Sequence, residues 1–137
     1  MAKHNEVGKL GESIAAEYLE KKGFSIIDRN YNKKWGEIDI VTHENKLVHF
    51  VEVKSKSCSL FSCENKTGDR DNVSYETQDE FRPEEMLHSR KIQRLKRVIQ
   101  TYILEKKVED WQFDVIIVYI DRNKRIGRCK YLEDIIL

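Results

Sequence analysis

The sequence predicts a single α/β domain spanning residues 1–137, a mixed β-sheet flanked by helices. Two segments with apolar residues at helical spacing, three strand-like runs between them and one longer apolar run near the C-terminus carry that prediction. A chain of 137 residues suits one domain with a sizeable core.

In VGKLGESIAAEYLEKKGF, Val7, Leu10, Ile14, Tyr18 and Leu19 recur at helical spacing, and Gly23 lies where a helix commonly ends. This predicts an amphipathic first helix. FSIIDRNY, GEIDIVT and KLVHFVEVKSK read as strands, and HEN supplies a turn that closes the last two into a hairpin. From Ser57 to Pro83 the chain is polar and irregular, which predicts a long inserted loop, either functional or mobile.

PEEMLHSRKIQRLKRVIQTYILEKK opens on the chain's one proline. It sets Ile92, Leu95, Ile99, Tyr102 and Ile103 on one face, as a second helix would, and Arg90, Arg94 and Arg97 on the other. WQFDVIIVYID is apolar without alternation, as expected of a strand buried on both faces. RIGRCKYLEDIIL offers a last strand or a short tail.

The net charge of +1 conceals a sorting along the chain. Ser59 to Glu85 holds eight acidic and three basic residues, whereas Met86 to Lys107 holds seven basic and one acidic. No stretch approaches the roughly 20 apolar residues that span a bilayer, and MAKHNEVGKLGES lacks the apolar core of a signal peptide. The expectation is a soluble, cytoplasmic protein with no membrane partner. Cys58, Cys63 and Cys129 lack close CxxC spacing and read as reduced thiols.

Side chains alternate along a strand, so Val48, Phe50, Glu52 and Lys54 share one face. Glu-x-Lys occurs five times in the chain, but only Glu52 and Lys54 are embedded in an apolar strand. There an ionised group is costly unless it is paired or binds a metal. Asp39, read on the same face as Glu37 and Val41, comes beside Glu52 when the hairpin closes. Two carboxylates that close repel, and Mg²⁺ or Mn²⁺, which prefer hard oxygen ligands, relieve that repulsion. A neighbouring ammonium can orient an attacking water or stabilise developing charge. These residue types suit a metal-dependent phosphodiesterase, although spacing alone leaves an inert buried ion-pair network equally open.

Arg90, Lys91, Arg94 and Arg97 form a basic stripe suited to nucleic-acid phosphates or to a solvated helix face. The later run of Arg122, Lys124, Arg125, Arg128 and Lys130 reads as surface. Trp35 and Phe50 read as packing residues rather than as platforms for a base. His43, His49 and His88 lack metal-ligand spacing and carry no assignment. Gly36 is expected to serve a tight turn into the second strand.

The motifs GxxGExxAxxYLxxxGFxIIxRNY from Gly8 to Tyr31, then WGEIDIV, VHFVEVKSK, RKIQRL and FDVIIV, resemble the YraN family. The match follows one motif order over nearly the whole chain and is most specific in GEIDI and FVEVK. That family of uncharacterised proteins is similar to the PD-(D/E)xK restriction-endonuclease-like superfamily and, within it, to archaeal Holliday junction resolvases. The resemblance implies a restriction-endonuclease-like fold and Mg²⁺-dependent (or Mn²⁺-dependent) hydrolysis of a nucleic-acid phosphodiester. It implies Asp39 and Glu52 as metal ligands, the Val53 carbonyl as a third, and Glu12 reaching the metal directly or through water. Lys54 would position and activate the attacking water, and Glu37 would line the site.

The family pattern has a much shorter connection between Lys56 and Arg90, so the acidic segment in this chain puts substrate preference in doubt. The leading expectation is an endonuclease acting on DNA, including branched or repair intermediates. Its rivals are a nucleic-acid-binding module that does not cleave, and an interaction protein that receives a protein partner at residues 57–83. Resolvases are dimers, so the resemblance also implies a homodimer.

Overall fold

Helix α1 (Ala2–Lys21) leads into strands β1 (Ser25–Lys33), β2 (Gly36–Glu44) and β3 (Leu47–Ser57). Helix α2 (Ser89–Lys106), β4 (Asp110–Asp121) and β5 (Ile126–Leu132) follow. This computed structural model describes residues 2–57, 89–121, 123 and 126–137, without the side chains of residues 2–5. The inserted loop expected after Ser57 lies outside the described residues, as do Cys58, Cys63, His88, Arg122, Lys124 and Arg125.

The helix expected from Val7 already runs from Ala2, a start that periodicity does not reveal because the first turns are polar. It ends as expected around Gly23, which has a φ of 100°. Gly23 N donates to Glu20 O and Phe24 N to Leu19 O, each at 3.0 Å, while Phe24 and Leu19 join the same apolar cluster. These are the two backbone bonds and the apolar contact of a Schellman cap. Helix α2 ends similarly, but with Lys107 at a φ of 54° and no glycine.

The five strands lie in the order β1-β2-β3-β4-β5. Every neighbouring pair is antiparallel except β3 and β4, which run parallel from Leu47↔Asp110 to Ser57↔Ile120. A parallel pair needs a crossover, and α2 lies within it. The β2–β3 hairpin forms, but both strands continue past His43, so the turn is Asn45–Lys46 with Asn45 at a φ of 60°. Asparagine tolerates that conformation.

Each face of the sheet carries one helix. Ala15, Ala16 and Leu19 of α1 pack on Ile40, Val51, Ile116, Val118 and Ile120. Leu95, Val98, Ile99 and Tyr102 of α2 pack on Ile38, Val41, Phe50, Phe113, Val115 and Ile117. The unbroken apolar run of β4 is thereby explained, since its alternate residues serve opposite cores. The fold is α/β, consistent with a restriction-endonuclease-like core. Among the described residues, no helix is long and apolar enough to cross a membrane.

A buried polar brace ties the C-terminal tail to β3 and β4. Asp114, fully buried, accepts from His49 Nδ1 at 2.6 Å and from Gln112 Nε2 and the Asp134 backbone N–H at 2.8 Å each; the Tyr131 hydroxyl donates as well. A carboxylate that only accepts fixes the imidazole proton on Nδ1. Ile135 N adds a bond to Phe113 O at 2.7 Å. RIGRCKYLEDIIL is thus both a strand and an anchored tail.

Candidate metal centre and its cleft

The site begins where the β2–β3 ladder stops. The last register pair is Ile40↔Val51, so Asp39 is the first residue of β2 beyond the pairing. Ile38 and Ile40, two positions apart, belong to the cores on opposite faces. Strict alternation therefore fails at Asp39, and the shared face expected for Glu37, Asp39 and Val41 does not hold through this step. Asp39 Oδ2 instead accepts the Val53 N–H of β3 at 2.8 Å. That bond fixes Asp39 beside the strand carrying Glu52.

Strand β1 is irregular at the same level. Asn30 lies between the pairs Arg29↔Ile40 and Tyr31↔Ile38 and has a φ of 52°. Its Nδ2 donates to Glu12 Oε1 at 3.0 Å. An oxygen each from Glu12, Glu37 and Asp39 can lie within 4.8 Å of the others.

Glu12 arrives there because α1 approaches β3 closely. A Cβ added at the buried Gly11 would lie 1.8 Å from Ser55 Oγ and 3.0 Å from Ser55 Cβ. Overpacking of this kind costs about 1–3 kcal/mol, against about 1 kcal/mol gained in helix propensity. Gly11→Ala is expected to lower the melting temperature and to displace Glu12 from Asn30. Adding Ser55→Gly should restore part of the stability, and calorimetric melting of the single and double variants checks the pair.

Burial pushes the Asp39 carboxyl up to about 8, and the Glu52 carboxylate adds to the effect. The Val53 N–H works in the opposite direction, while Glu12 and Glu37 raise it further. Glu52, itself buried, meets the Lys91 ammonium of α2, with Nζ 2.8 Å from Oε2. Burial disfavours the charge on Lys91, yet Glu52, Asp39 and Glu37 together hold its pKa above the ordinary lysine value. Crowded carboxylate oxygens reluctant to ionise together form a donor set that suits a hard divalent cation.

Asp39 and Glu52 form the floor of a cleft of about 670 Å³ between the β1–β2 turn and α2. Lys34 and Trp35 line one side, and Lys91 and Arg94 the other. Gly36 closes the tight two-residue turn into β2, as expected, and also lines the cleft. Its φ is not in the positive range, and a Cβ there would meet Arg94 O at 3.0 Å and Val98 Cβ at 3.3 Å. Glycine here lets α2 approach the cleft.

Of the basic stripe, Lys91 and Arg94 reach the cleft, and Arg90 is exposed in the first turn of α2. Arg97 stacks over Trp35, its guanidinium 4.8 Å from the ring centroid. Trp35 and Phe50 are packing residues: Trp35 packs on the α2 core and donates to Thr101 Oγ1 at 3.3 Å, and Phe50 is fully buried. Lys54 shares the strand face of Glu52 one pleat further on, opposite Ile117, and is exposed.

Sequence reasoning missed Asn30 and the direct pairing of Lys91 with Glu52. Asn30 stood inside the RNY block without a role, because a positive φ in a strand leaves no trace in periodicity. It also missed Asp114, a carboxylate in an apolar strand and therefore the same signal that singled out Glu52.

Comparison with known proteins gives relatives along nearly the whole chain. Residues 11–118 match the family described as "Uncharacterised protein family UPF0102". A UPF0102 protein of Flavobacterium psychrophilum is 30% identical over 135 residues, covering 98% of this chain and 96% of its own. One from Alkaliphilus metalliredigens is 37% identical over 122 residues, covering 88% and 90%. A third, from Campylobacter lari, is 33% identical over 125 residues, covering 90% and 93%. The chain belongs to the uncharacterised protein family UPF0102, which corresponds to the YraN family named by its sequence motifs.

Proposed function

We propose that this chain is a divalent-cation-dependent endonuclease hydrolysing nucleic-acid phosphodiesters, DNA foremost. The observation that carries the reading is Asp39 of β2, whose carboxylate lies close to those of Glu12 and Glu37 and shares with Glu52 of β3 a cleft with cationic walls. Asp39, Glu52 and Glu12, with the Val53 carbonyl, would hold Mg²⁺ or Mn²⁺, and the position of Glu37 beside Glu12 and Asp39 adds it to that set. A bound cation of this kind lowers the pKa of a coordinated water and offsets charge on the scissile phosphate.

The residues of the chain do the positioning. Val53 N–H fixes the Asp39 carboxylate, and the Asn30 amide orients Glu12. Lys54, on the face of Glu52, holds the attacking water by its ammonium. Lys91, Arg94 and Arg90 take phosphates flanking the cleaved bond. Hydrolysis needs no covalent intermediate.

Two observations favour a second reading, a nucleic-acid-binding module without cleavage. Glu52 is engaged by Lys91, and Lys54 does not line the cleft. Incubation with labelled single-stranded, duplex, flap and four-way-junction DNA in Mg²⁺, Mn²⁺ or EDTA separates the two. The endonuclease reading expects metal-dependent cleavage that Lys54→Ala strongly reduces. Salt-dependent binding with no cleavage in any metal contradicts it and leaves the binding module.

A further inference from the structure

Lys91 occupies an unusual place for a residue of a basic stripe. Its ammonium is turned inward on Glu52 at 2.8 Å, although nearly half of its side chain is exposed. It projects from the first turn of α2 on a flexible four-carbon stem. Rotation of that stem alone would carry the ammonium away from Glu52, with no movement of the backbone. Arg94, three residues on and therefore on the same side of the helix, lines the same cleft.

An ammonium and a divalent cation at one carboxylate repel each other, so they compete for Glu52. We infer that Lys91 is a built-in counter-cation, displaced from Glu52 when a divalent ion enters and then available beside Arg94 for a phosphate oxygen of the bound strand. The cleft thus exchanges one cation for another. Phosphate contact by Lys91 is thereby coupled to metal loading. The inference rests on the divalent-cation reading of the carboxylate cluster and goes beyond it by assigning Lys91 to both states of the site.

The test is Mn²⁺ binding, followed by titration calorimetry and by the electron-spin resonance of the ion, in the full chain and its Lys91→Met variant. Lys91→Met is expected to bind Mn²⁺ roughly tenfold more tightly. In a Glu52→Gln background the same substitution should change Mn²⁺ affinity little, because the competing pair is already broken. Lys91→Gln serves as a second neutral variant, and circular dichroism checks that each protein is folded. A parallel DNA-binding titration should show Lys91→Met weakening affinity by a larger factor in Ca²⁺ than in EDTA, and an equal factor in both would overturn the coupling of its phosphate contact to metal loading.

Equal Mn²⁺ affinity in the parent and both neutral variants overturns the exchange while leaving the cation site intact. Absence of Mn²⁺ binding in all of them overturns the cation site as well. The two failures are therefore distinguishable.

Discussion

Asp39→Asn is expected to abolish metal-dependent cleavage while raising the melting temperature of the metal-free protein. Asparagine keeps an oxygen for the Val53 N–H, so the local backbone arrangement survives. What disappears is a carboxylate crowded by Glu52, Glu12 and Glu37 in a largely desolvated position. Cations at such centres supply several kcal/mol of charge stabilisation, so the loss should be roughly 10³-fold or more in rate. Relief of crowding should stabilise the fold by about 1 kcal/mol or more. Paired cleavage and melting measurements check both halves. A variant that loses activity through unfolding would show the opposite thermal shift.

Asp114→Ala should produce the largest stability loss away from the cleft. The substitution removes an acceptor shared by His49, Tyr131, Gln112 and the Asp134 N–H, and strands several buried donors. Breaking a buried network of this kind costs about 3–5 kcal/mol, a large part of the total stability of a small domain. A fall in melting temperature of roughly 10 °C or more is expected.

The pH dependence has a definite sign. Burial alone would raise the Asp114 pKa, but bonds from His49, Tyr131, Asp134 and Gln112 outweigh it and hold the carboxyl below 3.8. Its contribution is therefore complete above pH 3.8 and is lost as the pH falls through the lower folded value. Urea unfolding from pH 7 down to pH 2 should show the parent losing this increment in acid, narrowing its gap to Asp114→Ala.

The architecture was legible because both helices and β4 are shaped by burial, which leaves periodic or continuous apolar patterns. Asp39 and Glu52 were legible for the complementary reason, as charges set among apolar strand residues. Glu12 was not legible by pattern, since a glutamate in an amphipathic helix is ordinary, and it came only from the resemblance. Its nearness to Glu37 depends on the Gly11–Ser55 approach and on the break in alternation at Asp39, both tertiary in origin. The Lys91–Glu52 pair joins residues separated by a long stretch of chain, and no local rule selects Lys91 over Arg90 as its member. Asp114 obeyed the rule that identified Glu52, yet its partners, His49 and Tyr131, come from β3 and β5 and meet it only in the folded sheet.

The proposed function requires that the carboxylates of α1, β2 and β3 form one divalent-cation centre. A crystal grown with Mn²⁺ and measured for its anomalous scattering tests this directly. An anomalous peak is expected in the cleft, coordinated by Asp39 and Glu52 oxygens, with the Lys91 ammonium withdrawn from Glu52. Saturating Mn²⁺ with no peak there, and with Lys91 still paired to Glu52, would contradict it.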